Sequence, residues 1–226
     1  MDKRSKSIDI NDKILIEGLF PGVNWQRVVI KCGMPWYLKK SFATAAALPN
    51  NYSKTLKIVY REYNSRIIML DTLFHETIHI QQYQNLDKKF PLGIGFFRAF
   101  MMHYLGWTLA LFVKGIFIKK LSIKKAFDFA YTENPLEKEA YGRGSVFFQT
   151  IISKNIAEDL TIFLNENPEL IVSKSDYDER PPQWAFITAI LLCLIIFITK
   201  PIIDSFAFLL EKIQTPFKKN AKNVKQ

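Results

Sequence analysis

Two of the chain's three histidines, His75 and His79, stand four residues apart with Glu76 between them. On an α-helix, positions four apart lie one above the other, so this spacing aims both imidazoles at one point. Glu76, one residue further round the helix than His75, reaches a neighbouring point instead. Two neutral nitrogen donors can hold a divalent metal there, and the carboxylate can take the proton of a water in an open coordination position. The motif therefore demands a helix, and its surroundings favour one. Leu73, Phe74, Ile78 and Ile80 give the segment from Asp71 to Gln84 an apolar surface, with Asp71 as a candidate N-cap.

A catalytic site of this kind needs a third protein ligand. Thr132-Glu133-Asn134-Pro135 is a helix breaker, and Pro135 suits the first turn of the next helix, where its missing amide is not needed. That helix can carry a carboxylate across to the first, and the small Ala140 permits close packing. Glu137 and Glu139 differ by about 200° in azimuth, so only one of them should face the metal. Glu137 is favoured, with Glu139 and His103, the remaining histidine, as alternatives. Tyr131, Tyr141 and Arg143 are candidates to stabilise a developing oxyanion if their helices face the metal. Gln82, one turn beyond His79, either bonds across the site or faces solvent.

The run Leu73-Phe74-His75-Glu76-Thr77-Ile78-His79-Ile80-Gln81-Gln82 resembles the active helix of the zincin metallopeptidases. Glu137-Lys138-Glu139-Ala140-Tyr141 resembles the Glu-x-x-Ala-Asp ligand helix of their glutamate-ligand branch, the gluzincins. The two matches cover residues 56 to 86 and 131 to 150. The resemblance implies Zn²⁺ as cofactor, His75, His79 and Glu137 as its ligands, Glu76 as general base, and a peptide or protein as substrate. It also implies a strand before the active helix that aligns the substrate backbone, either Leu56 to Tyr60 or Arg66 to Leu70. Two departures stand out. Tyr141 occupies the place of the family's Asp, so the carboxylate that orients a histidine is expected to be missing. The longer metzincin pattern, with its third histidine and methionine turn, does not follow His79. The alternative is a noncatalytic membrane or envelope protein that keeps a zincin-like fold, which would bind metal without hydrolysing peptides.

The fold expected is α+β and zincin-like, mainly helical, with a small antiparallel sheet preceding the active-site helix. Leu56 to Tyr60 and Arg66 to Leu70 read as the strands of a hairpin turning at Glu62 to Ser65, and Trp36 to Ala47 as a short helix. Residues 1–164 would form the metallopeptidase domain, including an apolar helix at 92–118 that is buried or membrane-associated. Residues 165–183 read as a polar linker, 184–210 as a membrane anchor and 211–226 as a basic tail. Cys32 and Cys193 form neither a disulfide framework nor a CxxC metal clamp. No cleaved signal peptide is evident, because Asp9, Asp12 and Lys13 interrupt the apolar run after the basic start.

Lys and Arg number 31 against 21 Asp and Glu, a net charge of +10 that favours an anionic partner. An anionic membrane surface fits better than nucleic acid, since no zinc-finger or glycine-rich RNA motif accompanies the charge. Residues 184–199 carry no charged side chain and are followed by Lys200, which would leave the tail cytoplasmic in a single-pass anchor. If both apolar runs crossed with their basic flanks cytoplasmic, the segment between them would have to lie on both sides. A crossing at 92–118 would also separate His79 from Glu137 unless they met within the bilayer, so that run is read as a packed, interfacial or re-entrant element beside the site, with a two-helix hairpin as the alternative.

Overall fold

The computed structural model describes residues 8–35, 44–50, 55–63, 65–89, 96–154, 160–177 and 179–192. Helix α1 (Ile10–Leu19) leads through a short 3₁₀ turn into strand β1 (Val28–Cys32), followed by β2 (Ala45–Asn50) and β3 (Thr55–Tyr60). Helices α2 (Arg66–Lys89), α3 (Phe96–Val113), α4 (Ile123–Thr132), α5 (Pro135–Ser153) and α6 (Leu160–Glu166) complete the body, and residues 183–192 are again helical. A π-helical turn (Lys114–Ile118) extends α3 toward α4. The protein is thus mainly helical with one small sheet, an α+β architecture.

The sheet is mixed, not antiparallel. Its order is β1-β3-β2, with β2 antiparallel to β3 and β1 parallel to it. Leu56 to Tyr60 is its central strand, paired on both sides. The helix expected from Trp36 to Ala47 lies partly outside the described residues, and its end, Ala45 to Ala47, is extended as the start of β2. Pairing with β3 overrides alanine's local preference for helix there.

Arg66 to Leu70 is not a strand but the first turn and a half of α2. A short apolar run looks alike in both states, and what decides it is continuation. Leu70, Leu73, Phe74 and Ile78 form one buried stripe at helical spacing. Asp71 therefore sits inside the helix. The N-terminal cap is Ser65, whose Oγ accepts from the Ile68 amide at 3.4 Å.

The core is built around α2, which packs on β2 and β3 and is flanked by α5 and α1. The Phe74 ring stacks on Phe147 of α5, centroids 4.3 Å apart and planes within 5°, and meets Phe20 beyond α1 at 4.9 Å. Ala140, fully buried, lets α5 lie close to α2. Asn134 caps α5 by accepting from the Leu136 amide at 3.1 Å, and Pro135 occupies its first turn.

The stretch read as a linker, 165–183, contributes buried Leu170, Val172 and Tyr177 to this body. Its backbone is tied in at Val172, whose amide donates to Leu19 O at 2.7 Å. Among the described residues no helix is long and apolar enough to cross a membrane. The anchor expected at 184–210 falls largely, and the tail at 211–226 wholly, outside the described residues.

Because Phe147 is fully buried between helices, Phe147→Ala should destabilise the protein by about 3–5 kcal/mol. Ile152→Ala, on the exposed side of the same helix, should change stability by less than about 0.5 kcal/mol. Chemical denaturation of the two variants checks the contrast.

Candidate metal centre

Helix α2 brings His75 and His79 to the same face, and α5 brings Glu137 opposite them. His75 Nε2 and His79 Nε2 lie 3.2 Å apart, and Glu137 Oε2 is 3.4 Å from the first and 3.6 Å from the second. These three residues form a largely buried group that could hold a metal ion. Tetrahedral coordination with bonds of about 2.05 Å spaces its ligands about 3.3 Å apart. The observed triangle matches one face of that tetrahedron. Glu137 Oε1 accepts from Tyr104 Oη at 2.8 Å, whereas Oε2 is buried and has no hydrogen-bond partner among the described residues. A buried carboxylate oxygen left in this state calls for a cation.

The electrostatics agree with that demand. Burial alone would raise the Glu137 carboxyl, but the two facing imidazoles override it and hold the group well below the usual carboxylate range. Burial would likewise lower His79, yet the Glu137 carboxylate wins and pushes it up to about 9. The cluster attracts positive charge, either a proton or a metal.

The hydrogen bonds behind His79 decide its tautomer. Gln82 Nε2 donates to Leu136 O and to Glu139 Oε2, both at 2.9 Å. Its amide oxygen therefore faces the ring, 2.9 Å from His79 Nδ1, and Nδ1 must carry the donated proton. Nε2 is left as the atom aimed at Glu137. Gln82 thus bonds across the site and does not face solvent. It supplies the orienting contact that the Tyr141 departure had left open.

Glu139 stands outside the His75, His79 and Glu137 group, and its side chain does not point outward. Its Oε2 also accepts from Ser175 Oγ at 2.6 Å, and its Oε1 accepts from the Asp176 amide at 2.7 Å. Arg143 lies 3.4 Å from Glu139 and pairs with Asp176, so its guanidinium belongs to this outer network and not to the cavity wall. His103 is likewise elsewhere, its Nδ1 2.8 Å from Tyr177 Oη and its ring edge-on to Phe186.

Glu76 and His75 open onto a cavity of about 690 Å³ whose walls include Thr44, Ala45, Asp71, Tyr131 and Tyr141. Burial raises the Glu76 carboxyl, opposed by the nearby His79 and His75 and by a backbone hydrogen bond from Ala47. The Tyr141 ring lies 4.6 Å from that of His75, and the Tyr131 and Tyr141 hydroxyls are 3.0 Å apart. Asp71 was legible only as a cap. Its place one turn before His75 on the same face could have flagged it as a wall residue. Tyr104 had no such signal, because it comes from a helix distant in sequence.

Strand β2 flanks this cavity. Ala45 and Ala47 pair with Tyr60 and Ile58, and the Tyr60 carbonyl is turned toward β1, where it accepts from the Gly33 amide. These are therefore pairs in which the β2 backbone groups point away from β3. Ala47 O accepts from Tyr83 Oη at 3.2 Å, and Ala45, two residues earlier, turns its backbone the same way beside the cavity.

No known protein family, characterised protein or solved structure matches the chain.

Gln82→Ala should leave the fold intact but free the His79 ring, weakening divalent-metal affinity by about 10–100-fold. Chelator competition with Zn²⁺, alongside circular dichroism, measures both.

Proposed function

We propose that the chain is a zinc-dependent hydrolase of peptide bonds, gluzincin-like in its ligand set, working at a membrane surface. The observation that carries this reading is the His75, His79 and Glu137 triangle, whose His75 lines the cavity together with Glu76. Two imidazoles and one carboxylate make up the donor set of hydrolytic zinc, and the ion when bound would polarise a carbonyl and acidify a water.

The protein's own groups then have distinct tasks. Glu76 is placed to accept the water's proton and return it to the leaving amine. Burial raises its carboxyl against the opposing pull of His79 and His75. Gln82 holds His79 in the tautomer that presents Nε2, and Tyr104 holds Glu137 so that Oε2 faces the histidines. Tyr131, kept protonated by burial and by the nearby Glu137 charge, can donate to an oxyanion from the cavity wall, with Tyr141 as its partner. An extended peptide fits beside β2, where the Ala45 backbone offers one donor and one acceptor. The apolar run from residue 184 and the basic tail support membrane attachment.

Glu76→Gln separates binding from chemistry. It should retain near-stoichiometric zinc while lowering peptide hydrolysis by at least about 100-fold, the scale of a lost general base. Elemental analysis beside a peptide-library assay checks both halves, and a variant that still turns over at the native rate would remove Glu76 from this role.

A further inference from the structure

We propose that the end of the molecule formed by the π turn and α4 is a docking surface for an anionic phospholipid bilayer, and that it holds the cavity mouth against the lipid. Helix α4 is packed inside out. Its inner face is made of Ala126 and Ala130, both fully buried, while its large apolar residues Ile123 and Phe127 are 66% and 56% exposed. Phe117 and Ile118 in the adjoining turn are 68% and 72% exposed. Alanines suffice inside because the turn lies so close: a Cβ on Gly115 would come within 3.1 Å of the Ala126 Cβ. Phe127 meets the Phe112 ring at 4.5 Å between centroids, yet all four outward apolar side chains remain more than half exposed, and an exposed cluster of this kind marks a binding surface.

The charge around the cluster selects its partner. Lys114, Lys119, Lys120, Lys124 and Lys125 are all exposed beside it, and the sequence carries no acid between Asp87 and Asp128. Lys120 even adopts the left-handed conformation, φ 54°, at the bend into α4, where glycine would be the easier residue. Apolar side chains ringed by lysines suit an anionic bilayer, the former entering the acyl boundary and the latter reaching phosphates. A second copy docking two-fold on this patch would set five lysines against five. Nucleic acid would leave the isoleucines without a stacking role.

The surface also leads to the cavity. Ile123, Phe127 and Tyr131 follow at four-residue spacing along the outer face of α4, and Tyr131 is in the cavity wall. That substrate is taken from the membrane surface rests on the hydrolase reading above; the docking does not.

Spin labels test the docking without requiring turnover. In the full chain carrying Cys32→Ser and Cys193→Ser, single labels at Phe117→Cys, Phe127→Cys and, as a control on exposed β1, Val29→Cys are read in mixed phosphatidylglycerol and phosphatidylcholine vesicles. Labels at 117 and 127 should relax severalfold more with dissolved oxygen than with an aqueous nickel chelate, with the order reversed at 29. Pure phosphatidylcholine should abolish the difference at 117 and 127. Preferential access by nickel at both sites in the anionic vesicles would overturn the proposal, and so would dipolar broadening between singly labelled molecules, which would put a second copy on this face. Either failure would leave the metal site untouched, just as loss of zinc binding would leave these labels unaffected.

Discussion

Everything in this fold is arranged around the burial of polar side chains on one helix. From His75 to Gln84, α2 carries Glu76, His79, Gln81, Gln82 and Gln84 into the interior, and each group taken from water needs a partner there. The partners come from far along the chain. Gln81 donates to Val172 O at 2.8 Å, Gln82 reaches Leu136 O and Glu139, and Gln84 Oε1 accepts from the Asn24 amide at 2.7 Å. These bonds staple the loop after α1, helix α5 and the 171–177 stretch onto the same helix. The histidine end of α2 is what they hold still.

The two carboxylates of α5 divide the work on opposite sides of their helix. Glu137 faces the histidines and keeps one oxygen without a hydrogen bond among the described residues, while Glu139 anchors Gln82, Ser175 and the Asp176 amide. Since Gln82 fixes the His79 ring, Glu139 acts on the cluster through two hydrogen bonds without approaching it. Glu139 thus reaches His79 by way of the Gln82 amide. This coupling is tight because the side chains of Glu139, Gln82 and His79 are all buried, where hydrogen bonds are strong and unmet groups costly.

What could be read from the sequence was what depends on short spacing. His75 and His79 share a face because four residues make about one turn, and Glu137 meets them because Asn134-Pro135 fixes where its helix begins. The role of Ala140 in close packing was legible for the same reason. What escaped depends on distant pairing. Residues 66–70 are helical because their apolar stripe continues through Ile78, and the sheet is mixed because β1 returns beside β3. The polar 165–183 stretch looked like a linker by composition, yet three apolar side chains and a few backbone bonds suffice to dock it. Gln82 could be seen as near the site, but its partner Glu139 looked outward until α2 and α5 were placed together.

The central claim is that His75, His79 and Glu137 bind one ion in common. Zinc K-edge X-ray absorption on the zinc-loaded full-length protein measures that shell directly. Two imidazole nitrogens with their outer-ring multiple scattering, at about 2.0 Å, and one carboxylate oxygen at a similar distance are expected, together with a light scatterer from solvent. Loss of half the imidazole scattering in His79→Ala would complete the assignment. A shell of oxygen alone, or one containing sulfur from Cys32 or Cys193, would contradict it.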